Sequence, residues 1–208
     1  MVQPLSYFYE TPSQTAGPYV HIGLIPQQAG FDIFETNFGS ALVGPDTKGE
    51  RIIVEGRVFD GTGTLVRDAL LEIWQADPDG QYNHPASGQE TMASDGFRGW
   101  GRTGTDFETG VYRFATIKPG AVVGRNGRMM APHINLWIVA RGINIGLNTR
   151  LYFSDATQAN AEDPVLNLIE QKVRRQTLIA ERSRRGDEVI YTFDVHLQGD
   201  QETVFFDP

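Results

Sequence analysis

No cysteine occurs among the 208 residues, which excludes disulfide cross-links, thiolate metal sites and a cysteine nucleophile. Long apolar runs are missing as well. The longest, Leu136 to Ala140, is far too short to span a bilayer, and Met1 to Glu10 has neither the basic start nor the apolar stretch of a signal peptide. Basic charge is scarce: 18 Lys and Arg stand against 26 Asp and Glu, a formal net charge of −8 that repels nucleic acid and anionic membranes. The expectation is a soluble, cytoplasmic protein with neither nucleic acid nor membrane as partner. Its Arg174-Arg175 and Arg182 to Arg185 patches read as solvated surface, the second leading into a hairpin tip at Gly186-Asp187.

What is present suits one folded domain. Hydrophobic residues make up 40% and charged residues 21%, enough for a sizeable core. Residues 1–50 carry little periodicity and five prolines, yet Tyr7, Phe8, Tyr9, Tyr19, Phe31, Phe34 and Phe38 are scattered through them. A disordered tail is poor in aromatics, so this stretch reads as an extended N-terminal arm that packs on something, either its own domain or a neighbour, ahead of a domain at 51–208. From Arg51 onward the pattern is dense in strands. Arg51–Asp60, Val66–Gln75, Val111–Ile117, Leu147–Phe153 and Glu188–Leu197 read as strands, with Thr203–Phe206 as an edge strand. Asp60 to Gly63 and Asp77 to Gly80 are turns. Asp163 followed by Pro164 marks a short helical excursion. Many short strands at turn-punctuated spacing predict a mainly β protein, a β-sandwich.

The stretch Ala131 to Arg141 organises the reading. As a strand it turns Ile134, Leu136, Ile138 and Ala140 to the core, and the mixed set His133, Asn135, Trp137, Val139 and Arg141 to the other side. Two histidines at i and i+2 on such a face would be a strong metal signal. Here Asn135 fills the second slot, and a neutral amide is a poor ligand for a transition metal. On the residues alone His133 is a hydrogen-bonded structural side chain. Gly61-Thr-Gly63 lacks the third glycine and the following helix of a dinucleotide loop.

Longer strings carry more. Val54-x-Gly56-x-Val58, Gly63, Val66, Leu71-Glu72-Ile73 and Gly80-x-Tyr82 resemble the signature of the intradiol ring-cleavage dioxygenases. Glu72 to Ala76, Thr116 to Gly120 and Ala131 to Ile134 extend the match across most of residues 51–155. Thr11 to Val20, Ala140 to Ile145 and Glu202 to Asp207 look like the α-type chains of that family's protocatechuate-cleaving, two-subunit branch.

The resemblance implies a ferric ion held by two tyrosines and two histidines, hard phenolate donors being suited to Fe(III). Tyr82 stands where the first tyrosine belongs and His133 where the first histidine belongs. Val122 (or Ala121) falls at the second tyrosine and Asn135 at the second histidine, while Met130 falls where catalytic relatives carry an arginine. These are vestigial metal-site positions, so no metal and no catalytic residue is expected in this chain. Fe(III) would sit in a β-type partner, which cleaves protocatechuate with O2. The resemblance places Thr15, Gly17, Pro18 and Arg141 beside the substrate of that partner, the guanidinium facing its carboxylate. The alternative is a metal-free β-sandwich binding or scaffold protein.

Overall fold

The computed structural model describes residues 15–35, 39–87, 95–124, 127–144 and 146–207. Tyr7, Phe8, Tyr9 and Phe38 of the arm lie outside them. The strands are β1 (Arg51–Phe59), β2 (Leu70–Gln75), β3 (Trp100–Gly104), β4 (Val111–Ile117), β5 (Val122–Val123), β6 (Met129–Met130), β7 (His133–Val139), β8 (Leu147–Phe153), β9 (Ile179–Arg185), β10 (Glu188–Thr192) and β11 (Val195–His196). One layer pairs β4, β1, β10 and the end of β9. The other pairs β3, β2, β7, β8 and the start of β9. β9 therefore belongs to both, and its continuous ladder closes one side of a β-sandwich.

Alternation builds the core between the layers. Ile52, Val54 and Val58 of β1 meet Leu71 and Ile73 of β2, Tyr112 and Phe114 of β4, and Ile134, Leu136 and Ile138 of β7 in one apolar cluster. Fully burying each such side chain contributes roughly 1.5–3 kcal/mol. Gly56 interrupts the apolar face of β1 because a Cβ there would stand 1.9 Å from the Phe193 carbonyl oxygen. That same oxygen accepts a 2.5 Å hydrogen bond from the buried Tyr112 hydroxyl.

Several expected strands are shorter than their patterns. Val66–Ala69 lies outside β2 because the Thr105 hydroxyl takes over the backbone there, accepting from Ala69 N–H (3.1 Å) and donating to the Val66 carbonyl (3.0 Å). The run Glu188–Leu197 breaks at Phe193-Asp194, where the Asp194 carboxylate accepts from the Arg57 amide at 2.8 Å. Thr203–Phe206 reduces to a single bridge, Asn148 to Phe206, beside a 2.7 Å bond from the Thr149 hydroxyl to the Val204 carbonyl. The helical excursion comprises the helix Thr157–Glu162, a 3-10 turn at Leu166–Leu168 and the short helix Lys172–Arg175. Asp163 caps the 3-10 turn, Oδ1 accepting from the amides of Val165 and Leu166 at 2.8 Å each. No helix among the described residues is long and apolar enough to cross a membrane.

The described arm lies partly on its own sandwich. Leu42 is inside the main core and Ala41 bridges Ala115. The Gln28 side chain accepts from the Gly104 amide at 2.8 Å. Tyr19, Leu24, Phe31 and Ile33 stay exposed. The basic patch at the β9–β10 hairpin is tied down: Arg185 pairs with Glu55 at 2.6 Å and Arg182 with Glu50 at 3.3 Å.

Candidate functional site

β7 runs between two clefts. At its start the geometry is set by glycines. Gly80 has φ +78°, and a Cβ there would meet the Ala121 carbonyl oxygen at 2.0 Å; a Cβ on Gly120 would meet the Pro78 carbonyl oxygen at 2.2 Å. Only glycine permits both approaches. The Gly120 amide donates to the Asp77 carbonyl at 2.9 Å, and the Asp77 carboxylate holds the turn by accepting from the amides of Asp79 (2.9 Å) and Gln81 (2.8 Å). Two loops distant in sequence are thus locked backbone to backbone, which puts Tyr82 and Val122 on one cleft. The Tyr82 ring stacks on Trp74, centroids 5.7 Å apart and planes 3° from parallel.

Tyr82, Val122 and Asn135 line this cleft of about 910 Å³, together with Trp74, Arg150 and Met130. His133, two residues along the strand, is buried outside the lining. Its Nδ1 lies 2.7 Å from the Ala131 carbonyl oxygen. A carbonyl only accepts, so Nδ1 carries the proton and Nε2 is left as a buried lone pair without a partner among the described residues. Burial, and then the positive charge of Arg150, lower the His133 pKa to about 4. The same corner is held by Asp163, fully buried, whose Oδ2 accepts from the Ala131 amide at 2.8 Å and Oδ1 from the Tyr152 hydroxyl at 3.2 Å. Burial, and then the Asp163 charge, raise the Tyr152 phenol.

These residues do not fit a ferric ion. Val122 offers no donor atom, and Asn135 offers a neutral amide whose nitrogen already donates to the Trp74 carbonyl at 3.3 Å. Two potential donors, Tyr82 and His133, make half a coordination shell. Among the described residues no group of three or more His, Cys, Asp or Glu could hold a metal ion.

The other four singled-out residues lie at the far end of the strand, roughly 26 Å from His133 at about 3.3 Å per residue. The Thr15 hydroxyl accepts from the Gly142 amide at 2.8 Å, which pins the arm against the end of β7. Pro18 and Arg141 share a second cleft of about 810 Å³ with Asp68, Val66 and Phe107. Arg141 Nε is 2.6 Å from the Asp68 carboxylate, which fixes one edge of the guanidinium and leaves its Nη groups on a side chain still 63% exposed. A Cβ on Gly17 would meet nothing within 4 Å, so packing within this chain does not require glycine there. Thr15, Pro18 and Arg141 therefore converge, with Gly17 between the first two, at a place separate from the Tyr82–Asn135 cleft.

Sequence reasoning did not single out Asp68 or Arg150. Asp68 sits in a turn 73 positions before Arg141, with no local signal linking them. Arg150 becomes visible only through register, opposite Asn135 on β8.

Comparison with known proteins places the chain in context. A family model described as Dioxygenase matches residues 36–199. The protocatechuate 3,4-dioxygenase alpha chain of Pseudomonas putida is 50% identical over 204 residues, 98% of this chain and 99% of that one. The corresponding beta chain of Burkholderia cepacia is 35% identical over 160 residues, 74% of this chain and 67% of that one. Among solved structures, the dioxygenase domain of a carbohydrate-binding fusion from Streptomyces sp. SirexAA-E superposes with a TM-score of 0.55 at 26% identity, covering 82% of this chain and 93% of that one.

Proposed function

We propose, proceeding from the chain's membership of the dioxygenase family whose model spans residues 36–199, that it serves as the α chain of a protocatechuate 3,4-dioxygenase. The observation that carries this is 50% identity across nearly the whole length of both chains with an alpha chain of that enzyme. The complex cleaves the ring of protocatechuate between its two hydroxyl-bearing carbons with O2, giving 3-carboxy-cis,cis-muconate, a step of the β-ketoadipate pathway in the cytoplasm. The β chain holds Fe(III), which makes the bound catechol reactive toward O2.

No chemical step falls to this chain's own Tyr82–His133 corner, where half the donors are missing. Its contribution is a wall of the partner's active site and the recognition of an anion. Arg141 is suited to the substrate carboxylate: a permanently charged, planar donor, held through Nε by Asp68 at 2.6 Å, presents its remaining N–H groups in fixed geometry. Thr15 anchors the arm beside it, Pro18 stiffens the segment, and Gly17 leaves room for a close backbone approach. The exposed Tyr19, Leu24, Phe31 and Ile33 give the arm apolar surface whose burial against the β chain offsets the entropy of ordering it.

The test is Arg141→Ala in the assembled αβ complex. Losing a charge-assisted pair worth about 1.5–3 kcal/mol raises KM for protocatechuate roughly 10- to 100-fold, with iron per β chain unchanged. Unaltered kinetics would remove Arg141 from substrate recognition and favour a metal-free scaffold role.

A further inference from the structure

The outer face of the β3-β2-β7-β8 layer gathers every indole of the protein beside Arg150, with Arg128, Glu72 and Asp207 also on the lining. Register sets one row across four strands: Trp100 opposite Trp74, Trp74 opposite Asn135, and Asn135 opposite Arg150. The next row on the same face puts Trp137 between Glu72 and Asn148. Directly opposed side chains in such rows stand roughly 4.5–5.5 Å apart at Cβ, so aromatic planes and polar groups form one floor. The chain has three tryptophans, and all three line the cleft over it. Hairpin β5–β6, the turn at Pro164–Leu168 and Phe206 wall it, enclosing about 910 Å³, within the range of small-molecule sites.

Charge selects the occupant. Glu72 is already neutralised by Arg102 at 2.5 Å. Arg150 is half-buried and, among the described residues, pairs with no acid; its Nη1 contacts the Met130 sulfur at 3.5 Å. Its charge reaches His133, opposing protonation there, while buried Asp163 acts on the same ring in the other direction. A half-buried guanidinium without an acid partner, beside aromatic and aliphatic walls, favours an anion attached to a flat apolar body, since the ring meets the indoles while the charge is matched. Val122 and Asn135 supply no anionic donor, so a pair of ring hydroxyls that could chelate iron gains nothing here.

We propose that this cleft is a metal-independent binding site for planar aromatic monocarboxylates, with the ring on the tryptophan floor and the carboxylate on Arg150. The site shares no lining residue with the Arg141 cleft, and its existence does not rest on the function proposed above.

The experiment titrates the full chain with benzoate and, separately, with benzamide, its neutral isostere, reading tryptophan fluorescence and confirming by calorimetry. Benzoate is expected to give a saturable change, and benzamide to bind at least about tenfold more weakly, the loss of one charge-assisted contact. Arg150→Gln is expected to weaken benzoate by a similar factor. No saturable response to millimolar benzoate would overturn the proposal. So would equal affinity for benzoate and benzamide, a comparison that needs no variant, or an Arg150→Gln chain that binds benzoate as the unsubstituted chain does.

Discussion

Acidification from about pH 7.5 to about pH 5.0 is expected to remove about 2 kcal/mol of the chain's stability through a single ring. His133 is held neutral in the fold: its pKa falls from 6.5 to about 4, first through burial and then through the charge of Arg150. Once unfolded, the ring regains the ordinary value. Between those two values the unfolded chain binds a proton that the folded chain refuses, so stability is full above pH 6.5, falls as pH drops through the interval, and levels off below about 4. At about 1.4 kcal/mol per pH unit, the whole difference is worth about 3 kcal/mol, of which about 2 kcal/mol is gone by pH 5.0. Carboxylates held below their ordinary 3.8, such as Asp155 through Lys118 and Tyr191, lose their contribution lower down, which leaves the interval largely to histidine. The assay is urea unfolding of the full chain followed by tryptophan fluorescence at stepped pH, alongside His133→Gln. The glutamine variant, which has no ring to protonate, should lose about 2 kcal/mol less over the same interval. Parallel loss in both chains would refute the buried neutral assignment.

Two further substitutions test the framework of the cleft. Gly80→Ala combines a left-handed backbone, φ +78°, with a Cβ 2.0 Å from the Ala121 carbonyl oxygen, so a loss of at least about 2 kcal/mol is expected in thermal or urea unfolding; a neutral effect would mean the Tyr82 and Val122 loops are not locked there. Asp163→Ala strands three amides and the Tyr152 hydroxyl and is expected to cost about 3–5 kcal/mol. A loss below about 1 kcal/mol in urea unfolding would show that water or a neighbour replaces the carboxylate.

Much of the sandwich was legible because alternation over five or more residues leaves little choice. Val111–Ile117 and Leu147–Phe153 form over the bounds their patterns suggest, and Ile134, Leu136, Ile138 and Ala140 all face the core. What was illegible follows from side chains competing with the ladder. Thr105 and Asp194 each seize backbone groups distant in sequence, and no local window contains both partners. The β5–β6 hairpin leaves no pattern in the sequence because two-residue strands carry no period. At the cleft, the identities of Tyr82, Val122, His133 and Asn135 could be read in line. Arg150 could not: its place beside Asn135 depends on the β7–β8 register, fixed only when both strands have found the core.

The contacts that shape the cleft and the side chains that fill it are separate sets, so the cleft's shape does not depend on what stands at positions 122 and 135. The lock between the Asp77–Gly80 turn and the Lys118–Ala121 loop runs through backbone atoms, two glycines and the Asp77 carboxylate. The Ala131 end of β7 is fixed by Asp163, and the floor by strand pairing. None of these involves the groups at 122 or 135. Valine and asparagine at those positions therefore remove donor atoms without removing support: Val122 gains burial in hairpin β5–β6 and Asn135 finds the Trp74 carbonyl. A cleft maintained in this way keeps its volume while its chemistry is free to differ. Among the charged groups on its lining, Arg150 and Arg128 face Glu72 (paired with Arg102) and Asp207, and a guanidinium fixed on a strand can attract an anion.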